Sequence, residues 1–146
     1  MTGLTTLSLL LSVVASGPGP NANAYTEAYQ QAAATGRPLL VLVGAKWCPA
    51  CRVLKDSTLP ELKRAGSLDN VAFVAVDADE HPKLADRLMR GSLLPQLIVF
   101  ATTSQGWRRA QIIGACDAAK VKSLIDRALQ WQRPDRQSAR PAAEAE

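Results

Sequence analysis

The stretch LVLVGAKWCPACRVL, residues 40–54, joins an apolar run to two cysteines that are separated by two residues. A short apolar run that contains β-branched residues and is bounded by Pro38 and Gly44 predicts a buried strand. Cys48 then opens a predicted helix with Pro49 in its first turn, where the missing N–H group costs little. The sequence therefore places Cys48 at the junction of a strand and a helix.

This junction suits thiol chemistry. The thiolate is the nucleophile in disulfide exchange, and the free N–H groups and dipole of a helix N-terminus favour an anion. Cys51 lies one turn further along the same helix face, within reach of the first sulfur. Cys48 can then attack a disulfide and Cys51 can resolve the product, with Trp47 shielding one side. The same spacing also occurs in structural disulfides and zinc sites, so these readings stay open.

Helices and strands alternate along the rest of the chain. Helices are predicted over residues 25–35, 48–55, 58–66, 82–90 and 117–131, and strands over 39–44, 71–76, 96–100 and 107–113. The motif Thr58-Leu59-Pro60-Glu61 predicts a capping box that starts a separate helix. The acidic residues 77–80 predict a solvated turn. This order predicts an α/β sheet with helices on both faces.

The N-terminus differs in composition from the rest of the chain. An apolar run over about 7–15 is followed by Gly and Pro and then by Ala-Asn-Ala at 22–24, which resembles a signal peptide and its cleavage site. The run is too short to span a bilayer. We therefore expect residues 1–24 to be removed and the mature chain, beginning at Tyr25, to be periplasmic or secreted. Since no Lys or Arg precedes the run, a disordered tail or a short uncleaved anchor is the alternative. The protein would be cytoplasmic if the segment is not a signal.

Composition argues against some classes of protein. The net charge is +4, and the basic residues are scattered without a dense run, which argues against a nucleic-acid surface. Three cysteines are too few for a disulfide framework. Residues 133–146, rich in Pro, Ala and charge, predict a disordered tail, which leaves 25–132 as one domain. We expect a monomer without a membrane span or a bound cofactor.

Four segments together resemble the thioredoxin superfamily: GRPLLVLVGAKWCPAC, VAFVAVDAD, LLPQLIVF and IIGACDAAKVKSLIDRAL. The resemblance runs from about Tyr25 to Trp131. It looks closest to exported thioredoxin-like proteins and to the C-terminal domain of the membrane thiol–disulfide interchange protein. It implies a central mixed sheet of about four strands flanked by helices on both faces. It also implies disulfide exchange with protein thiols, sustained by an unidentified redox protein as electron donor.

The resemblance further implies the shape of a substrate groove. The bond before Pro95 would be cis and place this proline against Cys48. Leu94 would offer its backbone to an extended substrate. Trp47, together with Pro49 and Ala50 between the cysteines, would complete the groove.

The chain departs from the thioredoxin pattern at three places. Leu42 occupies the position of a buried Asp, and Phe73 falls near the position of a Lys, two groups that help to move the proton of the resolving thiol. That proton would have to pass through Asp56, Lys55 or water. The dipeptide between the cysteines also lacks the His of strongly oxidising members, which favours a reductase or thiol-transfer role.

Two readings from other classes remain. A copper or zinc carrier would use the Cys48–Cys51 pair, but zinc needs about four ligands and the remaining candidates are Cys116 and His81. We expect His81 in a loop beside Pro82, and Cys116 as a small buried side chain near the rim of the site, dispensable for turnover. A non-catalytic thioredoxin-fold adaptor is the other alternative.

Overall fold

The computed structural model describes residues 20–138. Five α-helices, four strands and one π-helical segment follow one another in this part of the chain. In order they are α1 (Pro20–Thr35), β1 (Leu39–Gly44), α2 (Pro49–Val53), the π-helical segment (Leu54–Thr58), α3 (Leu59–Arg64), β2 (Ala72–Asp77), α4 (Pro82–Leu88), β3 (Gln96–Thr103), β4 (Gly106–Ile113) and α5 (Ala118–Ser138).

The strands form one mixed sheet in the order β2-β1-β3-β4. β1 pairs in parallel with β2 and antiparallel with β3, and β3 forms an antiparallel hairpin with β4. Residues 39–43 of β1 are all buried, because the strand has neighbours on both edges and helices on both faces. This burial explains why the strand reads as a continuous apolar run.

Alternate residues of the central strands face two separate cores. One core joins the face that carries Leu40 and Leu42 to α3 and α5, with Val121, Leu124, Ile125 and Ala128 supplying the helix side. The other joins the face that carries Leu39 and Val41 to α1 and α4. The predicted α/β architecture, with helices on both faces of a four-stranded mixed sheet, is confirmed.

The predicted capping box at Thr58 is wrong. Thr58 has helical backbone angles (φ −65°, ψ −49°) and its side chain makes no capping bond. The chain instead continues from α2 through the π-helical segment into α3, with the N–H of Leu59 donating to the carbonyl of Leu54. The wider π turn gives room to Pro60, whose ring would clash with the carbonyl four residues earlier in a regular α-helix.

Both ends of the described region extend beyond their predicted limits. α1 begins at Pro20 rather than Tyr25, and α5 continues to Ser138, past the end predicted near Trp131 and into the stretch expected to be disordered. The apolar run of the predicted signal peptide and the last residues of the predicted tail, 139–146, lie outside the described residues. Between residues 20 and 138, no helix combines the length and apolar character needed to cross a bilayer.

Candidate active site

Cys48 and Cys51 lie where β1 gives way to α2. Cys48 is the N-cap residue of α2, with an extended backbone (φ −85°, ψ 112°), and Pro49 occupies the first turn as predicted. Cys51 follows one turn later, and the two residues form a disulfide across a Cα–Cα distance of 5.3 Å. The sequence-based expectation that the two sulfurs can reach each other is confirmed.

The surroundings of Cys48 favour negative charge on its sulfur. The backbone N–H of Cys51 donates to Cys48 Sγ at 3.2 Å, and the same hydrogen bond would stabilise a thiolate after reduction. The backbone N–H of Cys48 in turn donates to the Ala45 carbonyl, which fixes the entry into the helix. Both cysteines are only 5% exposed, so a substrate would reach them through the surface formed by their neighbours.

Gly44, the last residue of β1, allows Cys51 to lie directly against the strand. A Cβ atom at this position would be 3.0 Å from Cys51 Cβ and 3.2 Å from Cys51 Sγ. A side chain at position 44 would therefore require Cys51 to move by a few tenths of an ångström. In the sequence, Gly44 indicated only the boundary of a strand and this role was not predicted, although a glycine shortly before a CxxC motif was a usable signal.

The acidic turn after β2 holds Trp47. The indole N–H of Trp47 donates to Asp79 Oδ2 at 2.8 Å, while Lys46 pairs with Glu80. Asp77 Oδ1 fixes the turn by accepting from the backbone N–H groups of Asp79 and Glu80. The interpretation of this stretch as a solvated turn was incomplete, because the turn also positions an indole that is 67% exposed beside Cys48.

The opposite rim is the loop before β3. The Leu94–Pro95 peptide bond is cis, as the resemblance implies. Leu94 and Ala50 pack against the cluster that contains both cysteines. Leu93, the preceding residue, is 62% exposed and adds apolar surface to the same rim. The structure thus brings the predicted Leu94 to the dithiol.

A cavity of about 450 Å³ lies behind Cys51, under the start of α2. Leu42 lines its apolar part, where the thioredoxin pattern would have a carboxylate. Six charged residues also line it: Lys46, Arg52, Lys55, Asp56, Asp77 and Glu80. The two side chains considered for the proton of Cys51, Lys55 and Asp56, therefore share a cavity with that residue. Phe73 does not contribute to the lining.

Cys116 occupies a different environment. It is a free, half-buried cysteine in the connection between β4 and α5, packed against the core on the α5 side. Burial raises the pKa of its thiol, and the nearby Asp117 raises it further, against a smaller opposing effect of Lys120. The thiol form is thus favoured, which makes Cys116 a poor nucleophile near neutral pH.

The described residues offer little to a metal ion. His81 precedes α4 as its N-cap residue, and its side chain makes no capping bond. Nowhere within residues 20–138 do three or more His, Cys, Asp or Glu side chains come together in an arrangement that could hold a metal.

The thioredoxin-like family matches residues 21–102 of the sequence. The chain belongs to this family. Among solved structures, it is similar to a thioredoxin from Thermus thermophilus (21% identity, 81% of this chain and 94% of that chain covered, TM-score 0.61). It is also similar to a thioredoxin from Trichomonas vaginalis (27%, 71% and 89%, 0.57) and to mitochondrial thioredoxin 3 of Saccharomyces cerevisiae (25%, 70% and 89%, 0.54). The thioredoxin fold with Cys48 and Cys51 at disulfide distance supports a thiol–disulfide oxidoreductase.

Proposed function

We propose that this thioredoxin-like protein reduces or exchanges disulfides in other proteins, with Cys48 as the attacking thiol and Cys51 as the resolving thiol. The observation that carries the proposal is the position of the Cys48–Cys51 disulfide. It lies at a helix N-terminus, between an exposed indole and the loop that contains the cis bond of Pro95.

The chemistry needs no group beyond the two thiols. The Cys48 thiolate attacks one sulfur of a substrate disulfide, which forms a mixed disulfide and releases the other substrate sulfur as a thiolate. Cys51 loses its proton to water or to one of the cavity side chains Asp56 and Lys55, and its thiolate attacks Cys48 Sγ. This attack releases the second substrate thiolate and leaves the Cys48–Cys51 disulfide. Two electrons have then passed to the substrate, and an external dithiol must return two electrons to the protein.

The surface around the dithiol supports a protein substrate. Trp47 on one side and Leu93 and Leu94 on the other expose apolar area on either side of the cysteines. Pro49 and Ala50 lie between the two sulfurs in the sequence and would face an incoming chain. We assign the backbone of Leu94 to pairing with an extended substrate segment next to its disulfide.

The direction of transfer is proposed as reduction. The dipeptide Pro49-Ala50 contains no imidazole that could stabilise the Cys48 thiolate. The hydrogen bond from the Cys51 N–H is the thiolate-stabilising contact seen in the structure. A couple with a less stabilised thiolate is a weaker oxidant. We therefore expect the reduced protein to donate electrons to protein disulfides.

Insulin reduction with dithiothreitol as the electron source tests this function. The reduced protein should accelerate precipitation of the insulin B chain, and the Cys48→Ser variant should not. An inactive parent protein that binds one equivalent of zinc or copper(I) per Cys48–Cys51 pair would contradict the proposal and favour the metal carrier. Inactivity without metal binding would favour the adaptor.

We also propose that the protein acts outside the cytoplasm. The proposal is based on the apolar run and the Ala-Asn-Ala sequence ahead of Tyr25. Cleavage there would leave the part of α1 from Tyr25 to Thr35, which still includes Ala28 and Ala32 of the core. Sequencing the N-terminus of protein recovered from the periplasm or medium should give Tyr25. Protein found only in the cytoplasm with Met1 intact would contradict this proposal.

A further inference from the structure

The loop over residues 89–95 connects α4 to β3 and is itself neither helix nor strand. It nevertheless carries the two residues on the cis-proline rim of the site, the exposed Leu93 and the half-buried Leu94. A substrate that pairs with the backbone of Leu94 needs this loop in one conformation. The question is what holds the loop in place.

The side chain of Gln96, the first residue of β3, makes hydrogen bonds to the backbone in the middle of this loop. It is fully buried, with 0% of its surface exposed. Its Nε2 donates to the carbonyl oxygens of Arg90 at 2.9 Å and Leu93 at 3.0 Å, with a longer contact to that of Gly91 at 3.5 Å. Its Oε1 accepts from the backbone N–H of Arg90 at 3.0 Å.

An amide is suited to this task, because it carries two donors and an acceptor at the end of a single side chain. Backbone groups inside a folded protein need hydrogen-bond partners. Backbone partners serve the two ends of this loop, where the Met89 N–H donates to the Ala85 carbonyl and the Gly114 N–H donates to the Pro95 carbonyl, and Gln96 serves the part between them. A second side chain secures the start of the loop, since Arg109 on β4 donates to the carbonyl of Leu88 and to the amide oxygen of Gln111. The loop is thus held by polar side chains of β3 and β4.

We propose that Gln96 is a positioning residue for protein substrates. It holds the loop of residues 89–95 so that Leu93 and Leu94 present a fixed docking edge beside the Cys48–Cys51 disulfide. The inference rests on the proposed function. It assigns Gln96 to the binding of an extended polypeptide and gives it no part in the thiol chemistry, which takes place at the start of α2.

The chain contains a matched control in Gln132. This residue is also buried, and its Nε2 also donates to two backbone carbonyls, those of Gly36 at 2.9 Å and Thr102 at 3.2 Å. Gly36 precedes β1 and Thr102 lies near the end of β3, whereas Cys48 follows β1 and Gln96 begins β3. Gln132 therefore bonds to the backbone at the end of the sheet that is remote from the dithiol.

The experiment compares Gln96→Met with Gln132→Met, which replace each amide with an apolar side chain of similar length. Reduction of insulin and of a small disulfide such as hydroxyethyl disulfide is measured for each variant and the parent, and thermal unfolding confirms that each is folded. The pair Gln96→Leu and Gln132→Leu serves if a Met variant does not fold. Amide hydrogen exchange reports on the loop directly.

We expect Gln96→Met to raise KM for insulin about tenfold, because small misplacements of a substrate-positioning group carry costs of this order or larger. Its kcat for insulin and its rate with the small disulfide should stay within about twofold of the parent. The Arg90 N–H should exchange faster in this variant. Gln132→Met should keep the parent's KM and the slow exchange of Arg90, even where it lowers the unfolding temperature as much.

Three outcomes overturn the inference without affecting the proposed function, and a fourth overturns both. The first is a Gln96→Met variant that keeps the parent's KM while the parent is active. The second is a rise of KM in Gln132→Met that equals the rise in Gln96→Met. Unchanged exchange at Arg90 in Gln96→Met would show that the amide does not hold the loop. A parent protein that does not reduce insulin would refute the proposed function, and this inference with it, before any variant is compared.

Discussion

Cys48 and Cys51 follow the central strand β1, whereas Cys116 follows the edge strand β4. The two regions have opposite effects on the balance between thiol and thiolate. At the first region a backbone N–H points at the sulfur of Cys48. At the second, burial and the neighbouring Asp117 raise the pKa of the Cys116 thiol. With Cys48 as the proposed attacking thiol, the hydrogen bond there would favour a thiolate, whereas the surroundings of Cys116 favour the thiol form. A backbone hydrogen bond at one sulfur, and burial with a neighbouring carboxylate at the other, account for the difference.

The largest effect on activity is expected at Cys48. Cys48→Ser should lower insulin reduction by more than about 1000-fold, because no other described thiol is placed to attack. Cys51→Ser should instead accumulate covalent complexes with substrate, since the mixed disulfide at Cys48 then lacks its resolving thiol. Non-reducing gels of both variants after incubation with a protein disulfide check this. Equal amounts of complex in Cys48→Ser would mean that another thiol attacks.

Gly44 gives the next largest effect. Gly44→Ala places a Cβ 3.0 Å from Cys51 Cβ, so the start of α2 must shift. We expect a loss of stability of about 1–3 kcal/mol from overpacking. The attack of Cys51 on the mixed disulfide should slow about tenfold, equivalent to about 1.4 kcal/mol of barrier. Rapid-mixing kinetics that separate the attack of Cys48 from the resolution by Cys51 provide the measurement.

Gly36→Ala is the control for Gly44. Gly36 has a left-handed backbone (φ +66°) with no neighbour within 4 Å of an added Cβ, so alanine there strains the backbone without touching the cysteines. The variant should lose about 1–2 kcal/mol of stability while its resolution rate stays parental. A parental resolution rate in Gly44→Ala would show that the contact with Cys51 has no kinetic role.

Substitution of Asp79 tests whether the hydrogen bond to the Trp47 indole is needed for substrate binding. Asp79→Ala removes the hydrogen bond to Trp47, worth about 1 kcal/mol, so KM for insulin should rise about fivefold. Glu80→Ala is the control, since it breaks an ion pair with the exposed Lys46 that water and salt screen. Identical KM values for Asp79→Ala and the parent would mean that the hydrogen bond does not position Trp47 for binding.

The smallest effect is expected at Cys116. Cys116→Ala should keep insulin reduction within about twofold of the parent. In a Cys48→Ser/Cys51→Ser background, alkylation of Cys116 should accelerate only at a higher pH than alkylation of the unfolded chain, since its pKa is raised in the folded protein. The favoured thiol form also contributes stability that is complete below the unfolded pKa and is lost as pH rises through the folded one. Fast alkylation of the folded protein at neutral pH would contradict this assignment.

The sequence revealed those features that depend on neighbouring residues. β1 is a run of apolar residues without interruption, Asp117 caps α5 by accepting from the N–H of Lys120, and the CxxC motif lies at a helix start. Each signal lies within a few residues of the element it specifies. The cis bond at Pro95 came from the family resemblance and from no local rule.

Contacts across a loop or between distant segments could not be predicted in the same way. The acidic turn looked like any solvated turn, because its bond to Trp47 joins residues that are 32 positions apart. Gln96 looked like a polar residue at the start of a strand, although its amide bonds back to Arg90 from a fully buried position. At Thr58 the capping-box pattern was present, but the helix continued through it. In each case a tertiary contact or a neighbouring helix outweighed a local preference.

The register of β1 has a consequence for the order in which the chain matures. Leu39 pairs with Ala72 on one side and with Phe100 on the other, so β1 gains its second neighbour only after residue 100 has been made. At a synthesis rate of about 5–20 residues per second, the stretch after Cys51 takes several seconds to emerge. During that interval the two thiols are present without the sheet that buries them. Both thiols of a newly made chain can therefore react with oxidants or with other thiols before the sheet that buries them has formed.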